Sequence, residues 1–266
     1  MPYKLIVSDL DGTFLDDKSE IPENNRKALK IMMEKGVGFA FASGRSYQSL
    51  DYFYDALPLK GRGVCGISFN GSVIYEIDTF KRIRTVLLNN GVMRELVSKM
   101  RPFLKDIYVY DGEGALYCEY ETETFIAYAV RSRIPYVIGS LDEIKSDVIK
   151  ILLMDSPEVL TSVHDHFLNI VPGVCNMFPS SKKMLEFTDL NATKGKALKY
   201  LGAHHGIDIS EIIAVGDNYN DESMVIEAGL GIVTANGEDS LKKRAGYVTK
   251  ASNNDGALME IVEKYL

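Results

Sequence analysis

Apolar and polar positions along this chain fall into successive regimes. Leu5-Ile6-Val7 is a short apolar run that reads as a strand, and Glu23 to Lys35 is an amphipathic helix stopped by Gly36. Val37-Gly38-Phe39-Ala40-Phe41-Ala42 is apolar without interruption, the pattern of a strand buried on both faces of a parallel sheet. Ser43-Gly44-Arg45 forms the turn after it, with a helix predicted to about Leu57. Gly66-Ile67-Ser68-Phe69 is a third strand, and Asn70-Gly71 is a turn signal leading into Val73-Ile74-Tyr75. This βαβαβ succession predicts a doubly wound sheet.

The middle of the chain changes pattern. A hairpin-like return spans Arg82 to Leu88, and a helix is predicted from about Val92 to Met100. Short strands follow at Ile107–Tyr110 and Leu116–Glu119, then a helix over Thr122–Ser132, a strand over Val148–Met154 and a helix opened by Pro157. Cys175–Phe178 and Met184–Phe187 read as closing strands. The mixture predicts an inserted α+β module over residues 83–186. Its tyrosines (Tyr108, Tyr110, Tyr117, Tyr120, Tyr128, Tyr136) read mainly as core or half-exposed sheet positions.

Alternation of strand and helix then resumes. Helices are predicted over Lys194–His205, Asp221–Ala228 and Glu238–Ala245 and from Gly256 onward, with strands at Ile212–Val215 and Gly231–Val233. The simplest architecture is an α/β fold: one doubly wound parallel-sheet core made from residues 1–82 and 187–266, with the middle as a second lobe.

Composition narrows the class. The 266 residues are 46% apolar and 25% charged, ordinary for a soluble globular protein. A net charge of -7 argues against nucleic acid held on a general basic surface. No apolar run approaches the ~20 residues that span a bilayer, and the first residues lack the apolar segment of a signal peptide. A cytoplasmic protein without a membrane partner is therefore expected. Cys65, Cys118 and Cys175 are odd in number and scattered, which predicts reduced, buried thiols. His164, His166, His204 and His205 lack zinc spacing and read as helix-surface residues.

The candidate chemistry sits where predicted strands end. Asp9-Leu10-Asp11-Gly12-Thr13 places two carboxylates directly behind the first strand, where ligands of open α/β sheets bind. The two negative charges repel each other unless a cation sits between them. Were Asp9 a nucleophile, it would attack an anionic centre and need a divalent cation; Asp11 could then protonate a leaving oxygen and take a proton from water. Gly12 allows a tight turn under a ligand. An Asx turn at a strand end is the plain alternative.

Ser43-Gly44-Arg45 lies between a strand and a helix, offering a hydroxyl, backbone N–H groups and a cationic fork to an anion, although taken alone an ordinary N-cap explains it better. Lys194 opens a helix at the dipole end that disfavours cations, which points to an anionic partner. Gly216-Asp217-Asn218-Tyr219-Asn220-Asp221 again ends an apolar strand in a carboxylate. Such oxygen-rich positions suit Mg2+, although Asp221 by itself also suits a first-turn helix acid.

Taken together, the four segments resemble the haloacid dehalogenase superfamily of phosphohydrolases, and within it the Cof-type (subfamily IIB) hydrolases, whose motifs appear here in order over essentially the whole chain. The resemblance implies a Rossmann-like core, residues 83–186 as a substrate-selecting cap able to close over a small substrate, and an aspartyl-phosphate mechanism. In that mechanism Asp9 attacks phosphorus and Asp11 serves as acid, then base. Mg2+ is held by Asp9, the Asp11 carbonyl and Asp217, with Asn220 or Asp221 in support. Ser43 and Lys194 hold phosphoryl oxygens. Gly12, Thr13, Gly44 and Arg45 line the phosphate and substrate site, and Asn70-Gly71 shapes its mouth. Asp11 favours phosphate esters over halides, because a departing halide needs no proton. The implied substrate is a small phosphorylated metabolite such as a sugar phosphate. The alternatives are a phosphomutase of the same superfamily and a slowly turning-over phosphate-responsive module.

Overall fold

The computed structural model describes residues 2–266. The chain divides into two compact units, one formed by Met1–Arg84 with Thr193–Leu266 and the other by Thr85–Ala192.

In the two-segment unit, β1 (Leu5–Ser8) is buried throughout. Helix α1 (Glu23–Glu34) follows, burying Ala28, Leu29 and Met32 on one face, and Gly36 at φ +72° turns the chain out of it. Next come β2 (Gly38–Phe41), a 3₁₀ turn over Tyr47–Leu50, and α2 (Asp51–Asp55). The helix expected here is therefore broken into two short pieces. Ser46 caps the first by accepting from Ser49 N–H, and Pro58 disfavours helical backbone at Leu57. β3 (Cys65–Ser68), β4 (Val73–Glu76) and β5 (Arg82–Thr85) form a small three-stranded sheet. The third predicted strand thus belongs mainly to this side sheet; it touches the edge of the parallel sheet through an Ala42–Ile67 bridge.

The inserted unit contains α3 (Asn90–Met100), β6 (Ile107–Asp111), β7 (Leu116–Cys118), α4 (Glu123–Ser132) and β8 (Tyr136–Ile138), then β9 (Val148–Met154), α5 (Pro157–Phe167), β10 (Asn176–Ser181) and β11 (Met184–Thr188). Its sheet runs β10-β11-β9-β6-β7-β8, antiparallel except for the β7–β8 pair. Alternate residues of β6, β9 and β11, such as Val109, Ile151 and Phe187, pack with Leu96 of α3 and Phe167 of α5 in one core. Strand β8 had no counterpart among the expected elements. Tyr108 and Tyr110 are buried, Tyr117 and Tyr128 half-buried, and Tyr120 and Tyr136 exposed.

The chain returns through α6 (Lys194–His204), β12 (Ile212–Gly216), α7 (Glu222–Glu227), β13 (Leu230–Val233), α8 (Asp239–Lys242), β14 (Tyr247–Val248) and α9 (Ala257–Tyr265). Helix α8 is shorter than the predicted Glu238–Ala245. The parallel sheet has the order β14-β13-β12-β1-β2. From β1 the chain moves outward to β2; on its return it enters at β12, on the other flank of β1. The strand order therefore reverses between β1 and β12, which opens a crevice at their carboxyl ends. Asp9 follows β1 and Asp217 follows β12, so both acids stand at that crevice.

All three cysteines are buried and free, and burial pushes their thiols up to about 11. His166, His204 and His205 are exposed and His164 is half-buried. Among the described residues no helix is long and apolar enough to cross a membrane.

Candidate active site

Asp9 is carried into the crevice by the sheet itself, its N–H donating to the Val215 carbonyl of β12 at 2.8 Å. Its side chain is 5% exposed. Lys194, the first residue of α6, is fully buried and donates to Asp9 Oδ1 at 2.5 Å and to Asp221 Oδ1 at 2.6 Å. The other oxygen of Asp221 accepts the backbone N–H groups of Asp217 at 2.9 Å and Asn218 at 3.0 Å. Asp221 thus folds the loop behind β12 and fixes the lysine, and both of its oxygens are engaged. Asp9 Oδ2 has no hydrogen-bond partner among the described residues.

Asp217 accepts the Thr13 hydroxyl at 2.5 Å, tying the loop after β12 to the one after β1. Gly12 is necessary between them. Its φ is +79°, and a Cβ there would lie 2.7 Å from Asp217 Oδ2. The loop is held from another side by Asn236, whose amide donates to the Gly12 carbonyl at 2.7 Å. Asn236 in turn accepts the Asn253 N–H at 2.9 Å. Asn236 was not among the expected site residues; its place just beyond β13, the next parallel strand, is the signal that marks it.

The loop after β2 brings the remaining groups. Arg45 forms a two-pronged ion pair with Asp11, Nε to Oδ2 at 2.7 Å and Nη2 to Oδ1 at 2.5 Å. Both Asp11 oxygens are thus taken by Arg45, whose guanidinium also lies over the Phe53 ring. Ser43 is buried, and its Oγ accepts the Arg45 N–H at 3.1 Å.

Asn70 and Gly71 brace this loop. Phe69 and Asn70 both adopt left-handed backbone, at φ 49° and 55°, a costly conformation for residues with a Cβ. Hydrogen bonds from Phe69 N–H to the Arg45 carbonyl and from Asn70 N–H to the Ser43 carbonyl, both 3.0 Å, hold them there. The strained turn presents the Asn70 side-chain oxygen to the Asn220 amide at 3.0 Å. It also packs the Asn70 amide beneath Gly44, where a Cβ would lie 3.0 Å from it. Gly71, at φ +99°, lets Thr193 approach so closely that a Cβ would sit 2.3 Å from the Thr193 carbonyl. That approach seats the start of α6, and with it Lys194.

The electrostatics follow from burial. Burial drives the Asp9 carboxyl well above its usual range; Lys194 offsets part of this, while Asp221, Asp217 and Asp11 add to it. Burial, then the charge of Asp221, pushes Asp217 up to about 7, with the Thr13 hydrogen bond opposing. Lys194 is held charged: burial alone would lower its pKa, but Asp221 and Asp9 raise it above the ordinary lysine value. Each of Asp9, Asp217 and Asp221 offers an oxygen, all within 4.8 Å of one another. Hard oxygen donors carrying excess negative charge fit a hard divalent cation such as Mg2+.

Comparison with known proteins agrees with this geometry. A family model described as haloacid dehalogenase-like hydrolase matches residues 6–261. YxeH of Bacillus subtilis, a phosphatase by name, is 27% identical over 99% of each chain. The phosphoglycolate phosphatase of Methanobrevibacter smithii is 26% identical over 100% of each. A solved haloacid dehalogenase-like hydrolase from Bacteroides thetaiotaomicron superposes with a TM-score of 0.85 at 29% identity, covering 99% of this chain and 100% of that one.

Proposed function

The chain belongs to the haloacid dehalogenase-like hydrolases, and from that premise we propose that it is a Mg2+-dependent phosphatase. Its substrates are small phosphorylated metabolites, sugar phosphates foremost, and it works through an aspartyl-phosphate intermediate. The observation that carries this reading is the unequal pair behind β1. Asp9 is buried against Lys194 with one oxygen uncommitted, whereas Asp11 sits half-exposed on Arg45.

In this mechanism Asp9 Oδ2 attacks phosphorus as the bond to the leaving oxygen breaks. Asp11 delivers a proton to that oxygen; it then takes one from the water that cleaves the acyl phosphate and restores Asp9. Asp11 enters the cycle once its pairing with Arg45 loosens. Lys194 and the Ser43 hydroxyl hold the phosphoryl oxygens in line. Asp9 and Asp217, with the Asp11 carbonyl, hold Mg2+, and Asp221 and Asn220 support them from behind. Mg2+, when bound, offsets the charge that builds on the phosphoryl group. The two-segment unit carries all of these residues and is assigned the catalytic role; Thr85–Ala192 is assigned substrate selection. A cytoplasmic setting suits the three free cysteines.

The test is Asp9→Asn assayed on p-nitrophenyl phosphate with Mg2+, alongside mass spectrometry of quenched wild-type enzyme. Hydrolysis should fall by about 10³-fold or more, and a phosphoryl adduct should appear on Asp9. Wild-type turnover in the variant removes Asp9 as the nucleophile. A screen of phosphorylated sugars, nucleotides and cofactors by released phosphate then tests the substrate class.

A further inference from the structure

We propose that β8, an open edge of the inserted unit's six-stranded sheet, is a dimerisation edge that pairs antiparallel with β8 of a second copy of this chain. The parallel β7–β8 ladder sets which backbone groups are used. Leu116 N–H donates to the Pro135 carbonyl at 3.1 Å and Gly139 N–H to the Cys118 carbonyl at 2.9 Å, with Leu116 opposite Tyr136 and Cys118 opposite Ile138. Residues 135, 137 and 139 therefore face β7, so the N–H and C=O groups of Tyr136 and Ile138 point outward, where they meet no partner among the described residues. Apolar side chains surround these open groups: Tyr136, Val137 and Ile138 are 44%, 43% and 46% exposed.

The opposite edge of the same sheet differs. β10 carries Pro179, a register shift between Pro179 and Ser181, and Lys182 and Lys183 directly after it. Those are the devices that keep an edge from pairing. β8 is short and Pro135 precedes it, but the strand itself, Tyr136–Ile138, holds no proline, charge or register shift.

The charge order around β8 selects the partner. Arg131 and Arg133 precede the strand, and Asp142 and Glu143 follow it. Arg131, Arg133 and Glu143 form no ion pair among the described residues, whereas Asp142 lies 3.1 Å from Arg101. Antiparallel self-pairing brings each basic flank to the acidic flank of the other copy; parallel pairing would set like against like. With Val137 facing Val137 of the second copy, Tyr136 and Ile138 of the second copy exchange both of their outward hydrogen bonds.

A two-fold axis that pairs edge strands antiparallel stands perpendicular to the sheet, so the same faces stay on the same side. The two α4 helices then meet across the axis. The outer face of α4 carries apolar side chains among charged ones, Glu123 and Arg131 and, just before the helix, Glu121. Ile126, Ala127 and Val130, the last 70% exposed, line a groove of about 560 Å³. α4 lies against the strand on its inner face, where the Phe125 and Tyr136 rings pack edge-on at 5.1 Å.

Sedimentation equilibrium of the full chain tests the proposal. A monomer–dimer equilibrium with Kd on the order of 10 µM is expected, because the paired strand is short. Ile138→Pro deletes an outward N–H that β7 does not use, and Val130→Glu charges the α4 face; each should weaken the dimer about tenfold or more. Arg131→Glu should weaken it as well, and adding Glu143→Arg in the same chain should restore it. Melting curves identify any variant that fails to fold, and the remaining variants then decide. A chain that stays monomeric to about 200 µM, or a dimer indifferent to the folded variants, overturns the proposal.

Discussion

Lys194→Met is the most demanding test of the site's construction. Methionine keeps the length and apolar stem of lysine, so little space is opened. The charge is what disappears. Asp9 and Asp221, 5% and 0% exposed, lose the ammonium that bridges them at 2.5 and 2.6 Å. Breaking a buried ion pair from one side costs about 3–5 kcal/mol, because the remaining charge is left unpaired. For a chain of this size about 2–4 °C of melting temperature follows each kcal/mol, so a loss of roughly 10 °C is expected near neutral pH in EDTA. The loss depends on pH with a definite sign. Burial raises the native Asp9 pKa above its unfolded value. Between those two values the native state holds more protons than the unfolded chain, so stability falls as pH rises through that window. Without Lys194 the native pKa rises further and the fall extends to higher pH. Thermal melts of both proteins from about pH 5 to pH 8 should therefore show the gap narrowing on acidification. A melting temperature within about 1 °C of wild type at neutral pH, or a gap that widens in acid, refutes the bridging role of Lys194.

Four further outcomes follow from the structure. Asp217→Asn keeps an acceptor for Thr13 but removes a carboxylate that repels Asp9, so the metal-free protein should melt a few degrees higher near pH 8 while Mg2+ binds at least about tenfold more weakly; melts in EDTA and Mg2+ titration read both. Because the native Asp217 pKa is raised from 3.8 to about 7, metal-free stability should fall as pH rises across that window. Mg2+ must displace that proton in acid, so its stabilisation at fixed concentration should grow between about pH 5 and pH 8, and a flat response would falsify the assignment. Gly71→Ala forces a Cβ to 2.3 Å from the Thr193 carbonyl at φ +99°, and should cost more than about 2 kcal/mol by urea denaturation and lower kcat by shifting Lys194. Gly61→Ala, at φ +77° with nothing within 4 Å, should cost only about 1 kcal/mol.

What the sequence made legible was whatever its local pattern determines. β1, β2 and β12 are unbroken apolar runs because both faces of a parallel sheet are covered, and that signal needs no partner to be seen. β8 escaped because three residues between Pro135 and Gly139 are too few to show a period, and because its edge position needs no alternation of buried and exposed side chains. α8 was expected to be longer, since helical spacing persists past Lys242 while the chain already turns toward β14. In the site, Asp9 and Asp217 stood out as charges at the ends of apolar strands. The pairings did not. Lys194 reaches Asp9 across 185 positions, and Arg45 reaches Asp11 across 34. Local pattern offers Asp221 as a first-turn acid, and only the fold turns both of its oxygens inward, onto Lys194 and the loop amides. Asn236 was missed for the same reason, its target being a backbone carbonyl 224 residues away.

The charges of the site also fix an order of events. At full ionisation Asp9, Asp11, Asp217 and Asp221 stand against Lys194 and Arg45, four carboxylates against two cations, an excess of two negative charges. A phosphate monoester arriving as a dianion meets that excess at close range in a buried crevice, where screening by water and salt is weak. The raised pKa values of Asp9 and Asp217 express that excess, since burial and the neighbouring carboxylates both oppose their ionisation. In the proposed mechanism a divalent cation would offset the excess, keeping Asp9 ionised for attack and easing the repulsion of the incoming phosphate. Mg2+ should accordingly bind before the substrate. At low Mg2+ the reaction should be limited by substrate capture, with kcat/KM falling more steeply than kcat. Equal loss of both would place the missing charge in the chemical step instead.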